Sequence, residues 1–258
     1  MEYNTIVKTI EDKVGTITLN RPTFNNTFNI QMATELNASL NEFDQDPKVN
    51  VIVINANGRN FCTGIDVNYI DGKSMEEYLD WVRLMEEMNL TIAKMSKPVI
   101  ASIHRIAVAN GIGIVAACDL AIASDTAKFG ATAINVGLFC MGPAVPLLKS
   151  LGRKRTLELI MTGDIIDANK ALEIGLINKI VPEEDLAEET KKYAKRWADK
   201  NPIAMQLRKK SFYEIEDMKY EDAIELTNYH FATLCTLDST KEEVSNFLNK
   251  NNKVKSNT

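Results

Sequence analysis

Cysteine and histidine are the side chains of this sequence best suited to nucleophilic, acid–base or metal chemistry. Four cysteines and two histidines occur, and they are scattered along the chain without a Cys-x-x-Cys pair. That spacing predicts neither a zinc site nor a disulfide framework, so each group would act singly, as a thiol or an imidazole. The residues are Cys62, Cys118, Cys140, Cys235, His104 and His230.

The overall composition limits the classes of partner. The chain has 258 residues, of which 45% are hydrophobic, and a formal net charge of −5. A large α/β core is therefore possible, and a basic nucleic-acid surface is not expected, although a local basic patch could hold an anionic ligand. No apolar run approaches the roughly 18 residues of a membrane span. The first residues lack the basic and apolar pattern of a targeting segment, so we expect a cytoplasmic protein.

Strands dominate the first part of the predicted structure. Segments 5–10 and 14–19 are β-branched and roughly alternating, with a turn at Asp12-Lys13 between them. Residues 49–56 form a nearly continuous apolar run, which is typical of a strand buried on both faces. Further strands are expected at residues 98–103, 120–123 and 177–181.

Helices are predicted in the intervals between these strands. Apolar residues spaced three and four apart predict one helix around residues 32–43. Ser74 and Glu77 form a capping box that opens a long second helix. The tryptophan, methionine and isoleucine side chains along that helix are typical of a packed core rather than of a cofactor site.

The last part of the chain shows only helical patterns, from Glu184 onward. We therefore predict two regions, a core of β-β-α units over residues 1–195 and a helical region over residues 196–258. The helices after Asn201 have apolar faces and few partners of their own. Closed symmetry is the usual outcome for such surfaces in soluble proteins, so these helices predict a homotrimer or a dimer of trimers.

A series of short motifs then stands in a fixed order along nearly the whole chain. These are Leu19-Asn20-Arg21-Pro22 with Asn26, Phe61–Asp66, Lys97–Ala101, Gly111–Asp119, Phe129-Gly130, Val136–Leu138, and Thr162–Asp164 leading to Gly175–Asn178. Together they resemble the crotonase superfamily of enoyl-CoA hydratases and isomerases. The segment Ile134–Cys140 further resembles the branch of enoyl-CoA hydratase domain-containing proteins.

The resemblance implies an α/β fold, the ClpP/crotonase superhelix of repeated ββα units with a C-terminal helical region for oligomerisation. It also implies an acyl-CoA thioester as ligand, with coenzyme A as part of the substrate and no separate cofactor. The shared chemistry of the family is an oxyanion hole, in which two backbone N–H groups hold the thioester oxygen of an enolate. By position, these donors would be the N–H groups of Thr63 and Asn110.

The sequence departs from the family at the groups that handle protons. Hydratases of this family use two glutamates, and the matching positions here hold Gly113 and Ala133. Neither residue can transfer a proton, so we expect little or no hydration of enoyl-CoA. The family's glycine triplet at the second donor is also incomplete. Asn110 tolerates a positive φ better than most residues, so the turn could be kept, but the shape of the pocket must differ.

Other side chains could replace the missing acids. A thiolate at Cys140 would be a base or nucleophile if its pKa were lowered. Asp66 follows the turn at Thr63-Gly64, which would carry the first donor. The alternative to a catalytic role for Asp66 is a structural role as acceptor for backbone N–H groups. His230 lies on a late helix and is compatible with decarboxylation, because some decarboxylases of the superfamily use a histidine and a lysine.

The residues expected to hold the coenzyme A ester lie around the two donor turns, one at Thr63 and the other at Asn110. They are Arg21, Gly64, Ile65, Asp66 and Gly111, and the pair Lys209-Lys210 could also meet phosphates. Three functional hypotheses follow: a lyase or isomerase acting through a thioester enolate, an acyl-CoA-binding protein without catalysis, and a thioesterase or decarboxylase of the same superfamily.

Overall fold

The part of the chain that the computed structural model describes, residues 3–255, divides into two compact units. The first ends at Ala198 and the second begins at Asp199. The boundary predicted between residues 195 and 196 falls inside the helix Leu186–Ala198, whose buried residues pack in the first unit. Among residues 3–255, none of the helices combines the length and the hydropathy that a membrane span requires.

The strands of the first unit form two sheets. Within the described residues, a six-stranded sheet has the order β1-β2-β3-β4-β6-β9, and a three-stranded sheet has the order β5-β7-β8. In the larger sheet β1 pairs antiparallel to β2, and all other neighbours are parallel. The strands are β1 (Ile6–Glu11), β2 (Val14–Leu19), β3 (Val51–Ala56), β4 (Val99–Ile103), β5 (Ile106–Val108), β6 (Leu120–Ser124), β7 (Lys128–Gly130), β8 (Ile165–Asp167) and β9 (Lys179–Val181).

The three strands of the smaller sheet were not predicted from the sequence. Each of them has three residues, which is too short to show the alternation on which strand prediction depends. Their pairing is set by tertiary contacts instead, and β5 leads directly into the helix that follows Ala109. The strands of the larger sheet all coincide with predicted ones, and Asp12 and Lys13 form the predicted turn with φ of 49° and 64°.

The helices surround the larger sheet or form the second unit. At the helix N-termini, Ser74 and Glu77 form both hydrogen bonds of the predicted capping box, and Asp167 accepts from the N–H of Lys170. The helices are α1 (Ile30–Gln45), α2 (Met75–Lys94), α3 (Asn110–Ala117), α4 (Met141–Leu151), α5 (Arg153–Thr162), α6 (Ala168–Glu173), α7 (Leu186–Ala198), α8 (Pro202–Ile215), α9 (Tyr220–Thr236) and α10 (Asp238–Lys255).

Strand β3 shows how the core fixes the position of the helices. Ile52 and Ile54 face a large apolar cluster that includes residues of α1, α2 and α3. Val51 and Val53 face a smaller cluster on the other side of the sheet, against α7. Side chains of a strand alternate between faces, so the continuous apolar run of β3 is explained by burial on both sides, as predicted.

Candidate active site

The segment Phe61–Asp66, the first turn of the site, lies beside the start of α1. Phe28 donates its N–H to the carbonyl of Gly64 (2.8 Å) and accepts from the N–H of Asp66 (2.7 Å). The N–H of Thr63 donates to the carbonyl of Asn25 at 3.2 Å. Thr63 therefore has no free N–H to offer a ligand, and the expectation that it supplies the first donor is corrected by this contact.

The neighbouring N–H, that of Ile65, has a different orientation. Successive N–H groups of an extended segment point in opposite directions. Because the Gly64 carbonyl and the Asp66 N–H both point toward Phe28, the N–H of Ile65 points away from it. No acceptor for this N–H occurs among the described residues. Ile65 is thus the group at this turn that can donate to a ligand.

The second turn opens α3 and is strained at Ala109. Ala109 adopts φ of 50° and ψ of −118°, a combination that a residue with a side chain rarely adopts. The positive φ of this turn therefore falls on Ala109, and Asn110, whose tolerance of positive φ is not used, is the first helical residue. Gly113 is the first α3 residue found to donate backward, to the carbonyl of Ala109. The N–H of Asn110 is left at the helix N-terminus, where the dipole favours negative charge.

Two glycines allow these turns to approach each other. A Cβ on Gly64 would lie 2.9 Å from the Cβ of Ala109, and Gly64 has φ of 107°. A Cβ on Gly111 would lie 2.4 Å from the carbonyl oxygen of Cys62. A side chain at either position would push the turns apart. These two glycines are therefore needed for the close approach of the two backbone segments.

The two positions where the family carries glutamates are occupied by packing contacts. A Cβ on Gly113 would lie 3.0 Å from Cγ of Pro143, so this position has little room for a side chain. Ala133 lies in the 3₁₀ helix Thr132–Val136 and donates its N–H to Sγ of Cys140 at 3.4 Å. No carboxylate belongs to either position, as the sequence implied.

The environment of Cys140 opposes formation of a thiolate. Burial raises the pKa of the Cys140 thiol, the N–H of Ala133 opposes that rise, and the nearby charge of Glu86 adds to it. The condition set for a reactive Cys140, a lowered pKa, is therefore not met. Cys62 is fully buried, and its pKa is raised by burial to about 12.

Asp66 and Arg21 interact with each other and with the chain. Asp66 accepts from the N–H and the side-chain amide of Asn68 and lies 3.6 Å from the guanidinium of Arg21. Arg21 also donates to the carbonyl of Thr27 and stacks on Phe24. Both residues thus stabilise the first turn internally, which is the structural alternative considered for Asp66.

The histidines also have partners within the chain. His104 lies 3.0 Å from the carbonyl oxygen of Gly58 through Nε2. His230, in the second unit, has Nδ1 at 2.6 Å from the hydroxyl of Ser211 and Nε2 at 3.9 Å from Glu214. Lys209 and Lys210 belong to the same unit; Lys209 is buried, and Lys210 lies 3.7 Å from Glu214.

Glu86 on α2 is a titratable group beside the site that the sequence analysis missed. Its Oε1 accepts from the side-chain amide of Asn110 at 3.3 Å, and its Oε2 accepts from that of Asn89 at 2.8 Å. Burial raises its pKa from 4.5 to about 7, although both hydrogen bonds oppose the rise. A carboxyl group with such a pKa can both take up and release a proton near neutral pH.

The sequence of α2 contained a signal for Glu86, next to the row of buried apolar side chains of that helix. Val82, Glu86 and Asn89 are spaced four and three residues apart, so they share a strip of α2 adjacent to the buried residues Met85 and Met88. An acidic residue at that spacing indicates either a solvated edge or a buried functional group. Only contacts with other elements distinguish the two.

Comparisons with known proteins identify the family of the chain. The sequence model of the family described as enoyl-CoA hydratase/isomerase matches residues 9–256. The chain is 33% identical over 245 residues to the rat mitochondrial enoyl-CoA hydratase domain-containing protein 3, covering 95% of this chain and 82% of the relative.

Solved structures of two similar proteins superpose over almost their full length. An enoyl-CoA hydratase of Mycobacterium smegmatis has a TM-score of 0.93 at 32% identity, covering 96% of this chain and 97% of that one. Human enoyl-CoA hydratase domain-containing protein 3 has a TM-score of 0.92 at 31% identity, covering 96% and 98%. The chain belongs to the enoyl-CoA hydratase/isomerase family and has its α/β crotonase fold, as the motifs indicated.

Proposed function

We propose that this chain binds acyl-CoA thioesters and stabilises the enolate of the bound thioester, as a lyase or isomerase. The observation that carries the proposal is the pair of outward-facing N–H groups of Ile65 and Asn110, on two turns that Gly64 and Gly111 allow to approach. Preorganised donors of this kind contribute about 3–4 kcal/mol each to an oxyanion transition state.

The surroundings of the two donors favour a developing negative charge. The N–H of Asn110 begins α3, so the helix dipole adds to its hydrogen bond. The eight residues of α3 are all buried and contain no charged side chain, and a low-dielectric environment strengthens an N–H to oxyanion contact. Strain at Ala109 is the cost of placing this N–H at the turn.

The rival hypotheses have weaker support. A thioesterase acting through Cys140 requires a thiolate, which the raised pKa of that thiol opposes. A decarboxylase acting through His230 requires that residue to meet the substrate, whereas its recorded partners are Ser211 and Glu214. Binding without catalysis differs from the proposal in one measurable respect, the absence of α-proton exchange.

The test separates binding from enolate formation. Calorimetric titration with acetyl-, butyryl- and longer acyl-CoA measures binding, and proton NMR in D2O measures exchange of the α-protons of the bound thioester. We expect binding with exchange. Binding without exchange would establish the non-catalytic alternative, and no binding of any thioester would refute the proposal.

A pair of substitutions at Ile65 tests the first donor. Ile65→Pro removes the N–H, and Ile65→Val keeps it with a similar side chain, so only the first should abolish exchange. A second comparison needs no variant: S-butyl-CoA lacks the carbonyl oxygen of butyryl-CoA. It should bind the wild type about tenfold more weakly if two hydrogen bonds are lost. Equal affinity would contradict the oxyanion hole.

We also propose that the second unit assembles the chain into trimers or dimers of trimers. Several large apolar side chains of α9 and α10 are more than half exposed, including Tyr229 (69%), Phe231 (70%) and Phe247 (63%). Exposed apolar surface of this kind marks interaction sites. Light scattering at micromolar concentration should give the mass of a trimer or hexamer, and a monomer mass would refute the proposal.

A cytoplasmic location likewise stays a proposal from the sequence. The rat relative is described as mitochondrial, and fractionation of cells that express the full chain would decide between the two compartments.

A further inference from the structure

The carboxyl group of Glu86 occupies space that another residue leaves open for it. A Cβ on Gly142, the second residue of α4, would lie 1.5 Å from Oε2 and 1.6 Å from Cδ of Glu86. Gly142 does not have a positive φ, so its backbone does not require glycine. The requirement comes from the carboxyl group, which no alanine at position 142 could accommodate in its present place.

The partners of Glu86 suit both of its protonation states. As a carboxylate it accepts from the amides of Asn110 and Asn89. The Oδ1 atom of Asn89 is buried and has no hydrogen-bond partner among the described residues. Rotation of the Asn89 amide by half a turn would present this oxygen to a protonated Glu86, because the two amide orientations occupy the same volume.

The position of Glu86 links it to the site on two sides. Asn110 joins its side chain to Glu86 while its N–H faces the proposed oxyanion. Cys140, whose Sγ accepts from the N–H of Ala133, lies near enough to Glu86 that the carboxylate charge helps to raise the pKa of the thiol. Ala133 is the position of a missing family glutamate, so Glu86 reaches the same neighbourhood from a different helix.

We propose that Glu86 is the catalytic acid–base group of this protein and transfers the proton that forms and quenches the thioester enolate. The proposal rests on the proposed enolate function. The carboxylate would take a proton from Cα of the bound thioester, and the electron pair of that C–H bond would move into the enolate held by Ile65 and Asn110.

A single acid–base group restricts the reaction that follows. With a β,γ-unsaturated acyl thioester, the enolate extends over the double bond. Protonated Glu86 then returns the same proton to Cγ, and the double bond moves to the α,β position. Atoms and charge balance without a co-reactant. Addition of water needs one group to activate the water and another to protonate carbon, and the family positions for such a pair hold Gly113 and Ala133.

The groups facing Glu86 make its titration identifiable. α3 presents the uncharged amide of Asn110, α2 itself presents Asn89, and the segment before α4 presents the Cys140 thiol, whose pKa is raised. Burial holds the pKa of Glu86 at about 7. Exchange catalysed by the carboxylate should therefore rise with pH through about 7 and then level off.

The test compares Glu86→Gln with Glu87→Gln, a matched control on the next, exposed residue of α2. Each protein is assayed for butyryl-CoA binding, for α-proton exchange in D2O between pH 5 and 9, and for thermal unfolding. Glu86→Gln should lose at least ~100-fold in exchange, together with the pH dependence near neutrality, and bind within a few-fold of wild type. Glu87→Gln should match the wild type.

The outcomes distinguish the two proposals. Exchange by the wild type that Glu86→Gln retains, with the same pH profile, would overturn the assignment of Glu86 and leave the enolate function standing. Absence of exchange in the wild type would overturn both. If Glu86→Gln fails to fold, Glu86→Asp decides, because it keeps the acid and withdraws it from Asn110. Unchanged exchange in that variant would overturn the proposal, and a loss of tenfold or more would support it.

Discussion

The two sides of the candidate site differ in what they offer a bound thioester. The side formed by α3 and residues 132–136 presents backbone donors and small side chains, with Gly113 packed against Pro143. The side formed by α2 and the start of α4 presents Glu86, with Gly142 leaving room for its carboxyl group. Stabilisation of charge and transfer of protons are therefore assigned to different elements.

Loss of family side chains does not by itself indicate loss of chemistry. Hydrogen-bond donors that belong to the backbone survive changes of side chain, so the incomplete glycine triplet does not remove the N–H of Asn110 at the start of α3. A side-chain acid is lost when its residue is replaced, so the proposed proton transfer requires a different residue, for which we propose Glu86. Four predictions test the contrast between the two sides.

The strongest of the four effects is the absence of hydratase activity. The α3 side lacks both acids that position and deprotonate water, and each such group is worth roughly 10²–10⁴-fold. Wild-type protein at high concentration should therefore consume crotonyl-CoA at least ~10⁴-fold more slowly than a hydratase with both glutamates, measured by loss of enoyl absorbance. Robust turnover would mean that Glu86 and a second group activate water together.

The next effect concerns the space around Glu86. Gly142→Ala should move the carboxyl group, and a displacement of about 1 Å costs roughly 100-fold in a positioned reaction. Proton exchange into butyryl-CoA should fall accordingly while the unfolding temperature changes little, because alanine is a good helix former. In the Glu86→Gln background the same change should cost almost nothing further. Full additivity of the two effects would contradict the contact as the cause.

The raised pKa of Glu86 also predicts a dependence of stability on pH. Its folded-state pKa of about 7 exceeds the ordinary 4.5, so its contribution is fully present below pH 4.5 and is lost as pH rises through 7. The free energy of unfolding should fall by up to about 3 kcal/mol across that window. Urea unfolding at pH 5 and pH 8 should show this fall in the wild type and not in Glu86→Gln. If the free energy of unfolding fell equally with pH in both proteins, the titrating group responsible would be a residue other than Glu86.

The smallest effect is a gain of hydratase activity on the α3 side. Gly113→Glu with Ala133→Glu restores both acids, but the new side chain at 113 meets Pro143 at about van der Waals contact or closer. The double variant should gain little, and adding Pro143→Ala should raise crotonyl-CoA hydration roughly tenfold above it, because new acids lack an evolved set of supporting contacts. Pro143→Ala alone is the control and should gain nothing. A double variant that equals the triple one would show that Pro143 is not the obstacle.

The sequence predicted most of the framework because long periodic segments carry strong signals. The buried run of β3, the capping box of α2 and the turn at Asp12-Lys13 were all found where the pattern placed them. The short strands β5, β7 and β8 were missed, because three residues hold no period. The first proposed donor moves from Thr63 to Ile65, because the N–H of Thr63 donates to the carbonyl of Asn25. The direction of an N–H depends on which segment its neighbours pair with, and the sequence does not give that pairing.

Motif order and hydrophobic period are properties of the chain alone, so the family, the larger sheet and the absence of the two family glutamates could all be read from the sequence. Contacts between distant segments, in contrast, show that the N–H of Thr63 is occupied, that Ala109 rather than Asn110 takes the positive φ, and that the half-buried Glu86 lies beside Asn110 and Gly142. The physical reason is that the pKa and reach of a carboxyl group are set by desolvation and by contacts from segments distant in sequence. In the sequence Glu86 is one of many helical glutamates. In the fold it is a carboxyl group with a pKa of about 7 at the edge of the proposed oxyanion hole.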